Sequence, residues 1–360
     1  MSSMYKVDHT ALEDYCQDIF KAVGLDGKDA AIVAESLVDA DLRNVISHGV
    51  TRVGNYMDRL KNGGTNPHPN ITIVQETGTT ALIDGDDCLG SLVSEQAVAL
   101  ARKKASDHGL GCVCVRRSNH YGAAARWSLK LAGDDMIGFT GSNVEPLMCV
   151  TGSNSKGIGN NPFSFAFPTG SHGPICLDVA CSMMAGGKLF EYKRENKPLP
   201  VGCFLDADGH PATDPNQADV MKMLPFGGHK GYGLAVAVEM LSSILAGGQF
   251  GSDMGSQYNR LGSPNHIAHF FFAMRIDAFR PIEDYMKSAD AFVDYLHDLP
   301  RQEGVERIYV PGELENMSKA DKLANGLRYS CKQIDELEDY GRRAGLSAER
   351  AAFLREFPID

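Results

Sequence analysis

The chain is short of paired cysteines, of positive charge and of long apolar runs. Its nine cysteines (Cys16, Cys88, Cys112, Cys114, Cys149, Cys176, Cys181, Cys203 and Cys331) are odd in number and scattered, with no C-x-x-C pair. That pattern argues against a disulfide framework or a zinc ribbon, no metal being expected, and for a reducing compartment where Cys serves as a small buried hydrophobe. Lys and Arg number 35 against 46 Asp and Glu, a formal charge of −11 over 360 residues. Binding nucleic acid or an anionic membrane needs a cationic face, so neither partner is expected. No apolar run is long enough for a spanning helix, and the opening MSSMYKVDHTALEDYC lacks the basic-then-apolar order of a secretory signal. A cytoplasmic location is the expectation.

Several common catalytic signatures are missing as well. Gly109-Leu-Gly111, Gly157-Ile-Gly159 and Gly231-Tyr-Gly233 begin the G-x-G-x-x-G spacing and do not complete it. There is no G-x-x-x-x-G-K-[ST], no H-E-x-x-H and no G-x-S-x-G. Rossmann, P-loop, zincin and α/β-hydrolase readings are therefore weak.

What is present is a well-patterned globular chain, 43% hydrophobic and 22% charged. Residues 28–49 carry Ile32, Val33, Leu37, Val38 and Leu42 near a 3.6-residue period, which predicts a helix, and 50–64 predicts a second that ends at Gly63-Gly64. From residue 71 the period shortens. Segments 71–77, 80–87, 111–118, 137–143, 163–169 and 174–180 read as strands, 91–109 and 123–135 as helices between them. Residues 232–248 read as a nearly all-apolar buried helix and 269–276 as a strand, while 283–299 and 331–360 return to charged helical patterns. The expected class is α/β (α+β): a helical part from 1–70, a central α/β domain from 71–282, and a helical part from 283–360 packing on the first.

Four polar constellations remain. In Arg43-Asn44-Val45-Ile46-Ser47-His48-Gly49-Val50-Thr51-Arg52 a hydroxyl neighbours an imidazole between cations. This suits proton transfer with Arg52 forking onto a carboxylate, or simply a helix terminus that favours His48. Ser118-Asn119-His120-Tyr121-Gly122 follows an apolar strand and opens a small-residue helix, where α/β proteins place ligands; a plain helix cap reads as well. Gly159-Asn160-Asn161-Pro162 is a ligand-facing or structural turn, and Asp178 interrupts an apolar run and needs a partner, either a histidine or the next helix. Gly227-Gly228-His229-Lys230-Gly231-Tyr232-Gly233 has the physics of an anion cradle.

Together these segments resemble the malate/L-lactate dehydrogenase family of the non-Rossmann type, over nearly the whole chain. Ser47-His48-Gly49-Val50 with Arg52, Ser118-Asn119-His120-Tyr121-Gly122, Asn161-Pro162, Asp178-Val179-Ala180-Cys181-Ser182, Gly228-His229-Lys230-Gly231-Tyr232-Gly233 and Pro311-Gly312-Glu313 follow its order of signatures. The resemblance implies a nicotinamide-binding domain with a mixed sheet, NAD or NADP as cofactor, a homodimer and a small anionic carboxylate as substrate. It implies that His120, Tyr121, Gly122, Ser142, Asp178, Val179, Ala180, His229, Lys230, Arg275, Gly312 and Glu313 lie along the cofactor. It also implies that His48 and Arg52 face the substrate. Either a Ser47–His48–Asp178 relay or His120 carries the proton. The chain departs from the family at Arg43-Asn44-Val45-Ile46, where Arg-Gly-His-Asp is usual, and at Asn160, where Thr is usual; Arg43 and Asn160 belong to the expected substrate pocket.

The implied chemistry is hydride transfer between a nicotinamide and a 2-hydroxy or 2-keto acid of malate or lactate type, with a histidine moving the hydroxyl proton. A cyclic ketimine carboxylate reductase is the alternative on the same scaffold. A nicotinamide-binding homologue without catalysis is the third.

Overall fold

The computed structural model describes residues 4–359, apart from the side-chain surroundings of 187, 190 and 191. The apolar stripe of Leu12, Tyr15, Cys16, Ile19 and Phe20 gives α1 (His9–Ala22) one buried face, which packs on α2 (Gly27–Leu42). Asp8 and Asp26 cap these helices by accepting from Ala11 N at 2.9 Å and Asp29 N at 2.8 Å. The helix expected over 28–49 stops at Leu42. Asn44 turns left-handed at φ 64°, Val45 N bonds back to Ala40 O at 2.8 Å, and two 3₁₀ turns, Ile46–His48 and Val50–Arg52, lead into α3 (Val53–Lys61).

A seven-stranded sheet forms the centre, in the spatial order Thr72–Glu76, Thr80–Cys88, Leu110–Ser118, Ile267–Arg275, Met136–Ser142, Phe163–Phe167, Ile175–Val179. Only the Thr80–Cys88/Leu110–Ser118 pair is parallel. The sheet is mixed and mostly antiparallel, which accounts for the missing dinucleotide fingerprint: that motif belongs to a parallel βαβ crossover. Helices α4 (Gly90–His108) and α5 (Ala124–Ala132) cover one face, with Trp127 wholly buried in the core they share with Val113, Val115 and Phe271.

Register decides where chemistry sits. Cys88 pairs with Ser118, Ser118 with Ile267, Ser142 with His269, Gly141 with Phe163 and Phe163 with Val179. All therefore share one edge of the sheet. The loops that follow Ser118, Ser142 and Val179, and those that precede Phe163 and Ile267, open on that edge.

Two smaller units complete the fold. A five-stranded sheet (Pro211–Ala212, Phe204–Asp206, Ala218–Met223, Met148–Cys149, Lys156–Ile158) packs with α6 (Gly186–Glu195) and α7 (His229–Glu239) around Leu189, Phe204, Met223, Ala235 and Val238. The helix expected over 232–248 is only partly buried. Past a π turn at Met240–Ile244 its apolar residues face outward, with Leu245 62% and Met240 53% exposed. After α8 (Ile282–His297) and α9 (Glu313–Asn325), the strand Leu327–Ser330 and the strand Phe357–Ile359 flank Met4–Val7, with α10 (Cys331–Ala344) between them. The helix expected over 331–360 ends at Gly345 and gives way to a 3₁₀ segment, Ala348–Arg355, and that last strand.

Candidate active site

The Ser47–His48 turn is fastened from beneath by a buried carboxyl. Asp41 accepts from Val50 N at 2.9 Å and from Tyr329 Oη at 2.8 Å, and burial lifts it to about 6. It lies so close that a Cβ on Gly49 would fall 1.8 Å from its Oδ1, so this position takes only glycine. On the turn, Ser47 Oγ meets His48 Nδ1 at 2.9 Å and Ser47 O accepts from Arg52 Nε at 2.6 Å.

His120 comes to the same place from the end of the strand Leu110–Ser118. Its ring stacks on that of His48, centroids 5.3 Å apart and planes 25° apart. Its Nδ1 meets Tyr56 Oη at 2.6 Å. A phenol can donate or accept, so Nδ1 keeps a partner in either charge state and Nε2 is the nitrogen left for a substrate proton. Both rings are half-buried. Desolvation first, and the Arg52 guanidinium second, hold His48 far below the usual imidazole range; His120 is held down by desolvation, then by His48 and Arg52. Two adjacent neutral imidazoles therefore face the edge beside one cation.

Along the edge, His269 is wholly buried between Ser118 Oγ and Ser142 Oγ, 2.9 Å from each, with its ring stacked on Tyr121 at 4.4 Å. Asn119, next to His120, is fixed on both sides of its amide: Arg59 and Asn265 N donate to its oxygen, and its nitrogen donates to Asp87 O and Cys88 O. Glu239 of α7 accepts from Asn143 at 2.9 Å and from Asn161 at 2.7 Å, tying the loops after Ser142 and before Phe163 to that helix.

Asp178 accepts from Ala125 N at 2.9 Å, at the start of α5 and five residues beyond His120. Its carboxyl is open to solvent but walled by protein, and desolvation lifts it to about 6. No hydrogen bond joins it to either imidazole among the described residues, so its geometry is that of the helix partner and not of a relay. Gly312 lies against the same strand, with Pro311 O accepting from Cys176 N at 2.9 Å. Arg43 is buried between Asp39 and Asn316, and its charge lowers the Asp178 carboxyl against the desolvation that raises it. Glu313 is held by His297, Arg307 and Val310 N.

The Lys230 turn joins this assembly through the segment after Asp178. Cys181 N donates to Asn160 O at 2.7 Å, and Phe226 N donates to Cys181 O at 3.0 Å. Gly227 and Gly228 are left-handed in succession, φ 57° and 62°, which turns the chain so that His229 and Lys230 open α7 with exposed side chains that have no hydrogen-bond partner among the described residues. Arg275 is the exception. It pairs with Met136 at the opposite edge, six residues or roughly 20 Å along the strand from His269, and is engaged with Asp277 and Ser106 O.

Sequence reading missed Tyr56, Arg59, Asn119's partners, Glu239 and His269. Only His269 left a signal, a lone imidazole in the apolar run HFFFAMRI.

Comparison with known proteins places the chain in a family. The model of the malate/L-lactate dehydrogenase family matches residues 7–338. The chain belongs to the malate/L-lactate dehydrogenase family. It is similar to L-sulfolactate dehydrogenase of Methanocaldococcus jannaschii, 38% identical over 335 residues that cover 92% of this chain and 95% of that one. It is also similar to malate dehydrogenase of Pyrococcus horikoshii, 35% identical over 351 residues covering 95% and 96%. The solved sulfolactate dehydrogenase of M. jannaschii superposes with a TM-score of 0.89 at 37% identity, over 96% of this chain and 98% of that one. As a malate/L-lactate dehydrogenase family member the chain is an oxidoreductase that acts on the CH–OH of a hydroxy acid with a nicotinamide cofactor, on a mixed α/β scaffold.

The family's residues fit such a cofactor. The side chains of Lys230 and His229 stand exposed, with no side-chain partner among the described residues, at the positive end of α7, where a diphosphate is favoured. Ser182 Oγ, beside that turn, is buried with no hydrogen-bond partner among the described residues. No helix among the described residues is long and apolar enough to cross a membrane.

Proposed function

We propose that the edge bearing His48, His120 and Arg52 is where a small 2-hydroxy acid, or its 2-keto counterpart, reacts. The stacked imidazoles beside a single guanidinium carry this reading. His120 moves the hydroxyl proton through Nε2, taking it in oxidation and returning it in reduction. Tyr56 orients the ring from Nδ1, and Ser47 does the same for His48. Arg52 receives the carboxylate and so fixes which face of the substrate carbon is presented. The nicotinamide, NAD or NADP, would accept the hydride in oxidation and give it in reduction; Lys230, His229 and Ser182 would hold its phosphates, and Ser142, the Asp178–Ala180 segment and Gly312 would line its path.

The same reading includes a homodimer. Leu234, Met240, Leu241, Ile244, Leu245 and Phe250 form an exposed apolar face on and after α7, and a second copy of the chain covers it. The nine cysteines are all free, which supports the cytoplasm as the compartment.

The test is turnover of pyruvate, oxaloacetate and piperideine-2-carboxylate with NADH and with NADPH, for the wild type and for His48→Ala and His120→Ala. A 2-keto acid is reduced fastest, and His120→Ala loses about a hundredfold or more in kcat. Near-normal turnover in both histidine variants overturns the assignment, and a preference for the cyclic imine replaces C=O by C=N.

A further inference from the structure

Arg59, on α3 and two helical turns after Arg52, is 1% exposed and has no carboxylate bonded to it among the described residues. Burying a guanidinium is costly unless most of its N–H groups are met, and here both terminal nitrogens are, while Nε has no partner among the described residues. Here it donates to Gly64 O at 2.9 Å, Ser263 O at 2.8 Å, Ser256 O at 3.3 Å, Arg260 O at 3.4 Å and Asn119 Oδ1 at 3.0 Å. Three of those oxygens belong to one loop, so Arg59 clamps residues 256–263 against the helix that follows Arg52. The neighbouring residues tighten the clamp. Gln257 N donates to Glu145 at 2.8 Å, Asn55 donates to Gln257 O at 3.2 Å, and Ser256 Oγ accepts from Asn259 N at 3.2 Å to close the turn.

The residue presented by this turn is Tyr258. It is 55% exposed, its phenol oxygen accepts from Arg52 Nη1, and the Arg52 guanidinium carbon lies 5.8 Å from its ring centroid. Arg52 is thus pinned at Nε by Ser47 O and at Nη1 by Tyr258, which leaves Nη2 free to meet a ligand. The phenol oxygen already accepts from a cation. Its own proton points to another acceptor, and among the described residues none is bonded to it.

We propose that Tyr258 is a second substrate-binding donor: its O–H and the Nη2 of Arg52 together receive the carboxylate of the 2-keto acid. This rests on the placement of that carboxylate at Arg52. A contact made equally in ground and transition states moves KM and spares kcat.

The experiment compares Tyr258→Phe and Arg52→Gln with the wild type, using pyruvate and oxaloacetate as probes, with NADH kinetics and thermal midpoint measured on each. Tyr258→Phe raises KM for the keto acid about tenfold, holds kcat within about twofold, and leaves KM for NADH and the melting midpoint unchanged. A raised KM in Arg52→Gln with an unchanged KM in Tyr258→Phe overturns the inference and leaves the role of Arg52 standing. Unchanged KM in both removes the carboxylate from Arg52 and takes the inference with it. A fall in melting midpoint together with cofactor affinity in Tyr258→Phe shows a loop-packing role and overturns it too.

Discussion

Tyr56 and His120 meet phenol to imidazole, Oη to Nδ1, at 2.6 Å, with Tyr56 only 2% exposed. The pair joins the helix after the first signature to the strand end of the second, 64 residues apart in the chain. An imidazolium at His120 would donate Nδ1–H to the phenol oxygen, a charge-assisted bond stronger than the neutral one.

Tyr56→Phe removes that acceptor. The charged form loses more than the neutral form, so the His120 pKa falls further and the ring loses its orientation. The expected result is a kcat lowered by about tenfold with KM for the keto acid held within about twofold, because Arg52 is untouched. In the oxidation direction the acid limb of the pH profile moves to lower pH. A variant whose KM alone changes would show that Tyr56 contacts substrate and not the histidine.

Arg52 acts on both imidazoles through space, lowering each after desolvation has done so. Arg52→Gln removes a like charge, so both pKa values rise toward the ordinary 6.5. Oxidation needs the neutral base, and it is lost as pH falls through that pKa. The acid limb of kcat/KM for hydroxy-acid oxidation therefore moves to higher pH in the variant. Measuring log kcat/KM from pH 4 to 9 with lactate or malate decides it; a limb that stays in place separates the guanidinium from the titrating group.

How much of this was legible in the sequence depends on the kind of signal involved. The strands of the central sheet alternate or run apolar between turn residues, and six segments plus 269–276 map onto its seven strands. The five-stranded sheet left no such trace, because strands such as Met148–Cys149, Pro211–Ala212 and Lys156–Ile158 are two or three residues long, shorter than any period. Helix α9 was also unread: its mixture of Glu, Lys, Asn and Ser buries no side chain and so lacks an apolar stripe. The polar segments around His48, His120, Asp178 and Lys230 stood out because they interrupt apolar or small-residue runs. Their supports did not. Asp41 sits inside a regular helix and Arg59 looks like any helical arginine, yet each is decisive because of a partner distant in sequence, Tyr329 for one and the 256–263 loop for the other.

The face after α7 gives a prediction about assembly. Leu245 is 62% exposed and Leu241 40%, beyond what a solvated helix end accumulates by chance. Leu245→Asp places a charge that a covered interface must desolvate without a partner, at a cost of several kcal/mol. Sedimentation of the wild type is expected at twice the 39.0 kDa chain mass and of the variant at that mass once. A wild type that sediments as a single chain at micromolar concentration would leave this face without a second copy.

His269 makes the protein sensitive to acid. It is 0% exposed between two serine hydroxyls, and burial pushes it down to about 3 from an ordinary 6.5. Unfolding restores the ordinary value, so between those pH values the unfolded chain binds one more proton than the folded one. Stability from this group is whole above pH 6.5 and is lost as pH falls below it. Asp41 and Asp178, both raised to about 6, work in the opposite sense, since their folded forms hold protons that the unfolded chain has released. His269→Asn isolates the histidine from that background. The variant is less stable at pH 7 through lost stacking and hydrogen bonds. Its further loss from pH 7 to pH 5 is smaller than that of the wild type by about 2 kcal/mol. Urea unfolding at the two pH values measures the difference, and equal losses in both proteins would mean that His269 takes up its proton in the fold at the same pH as in the unfolded chain.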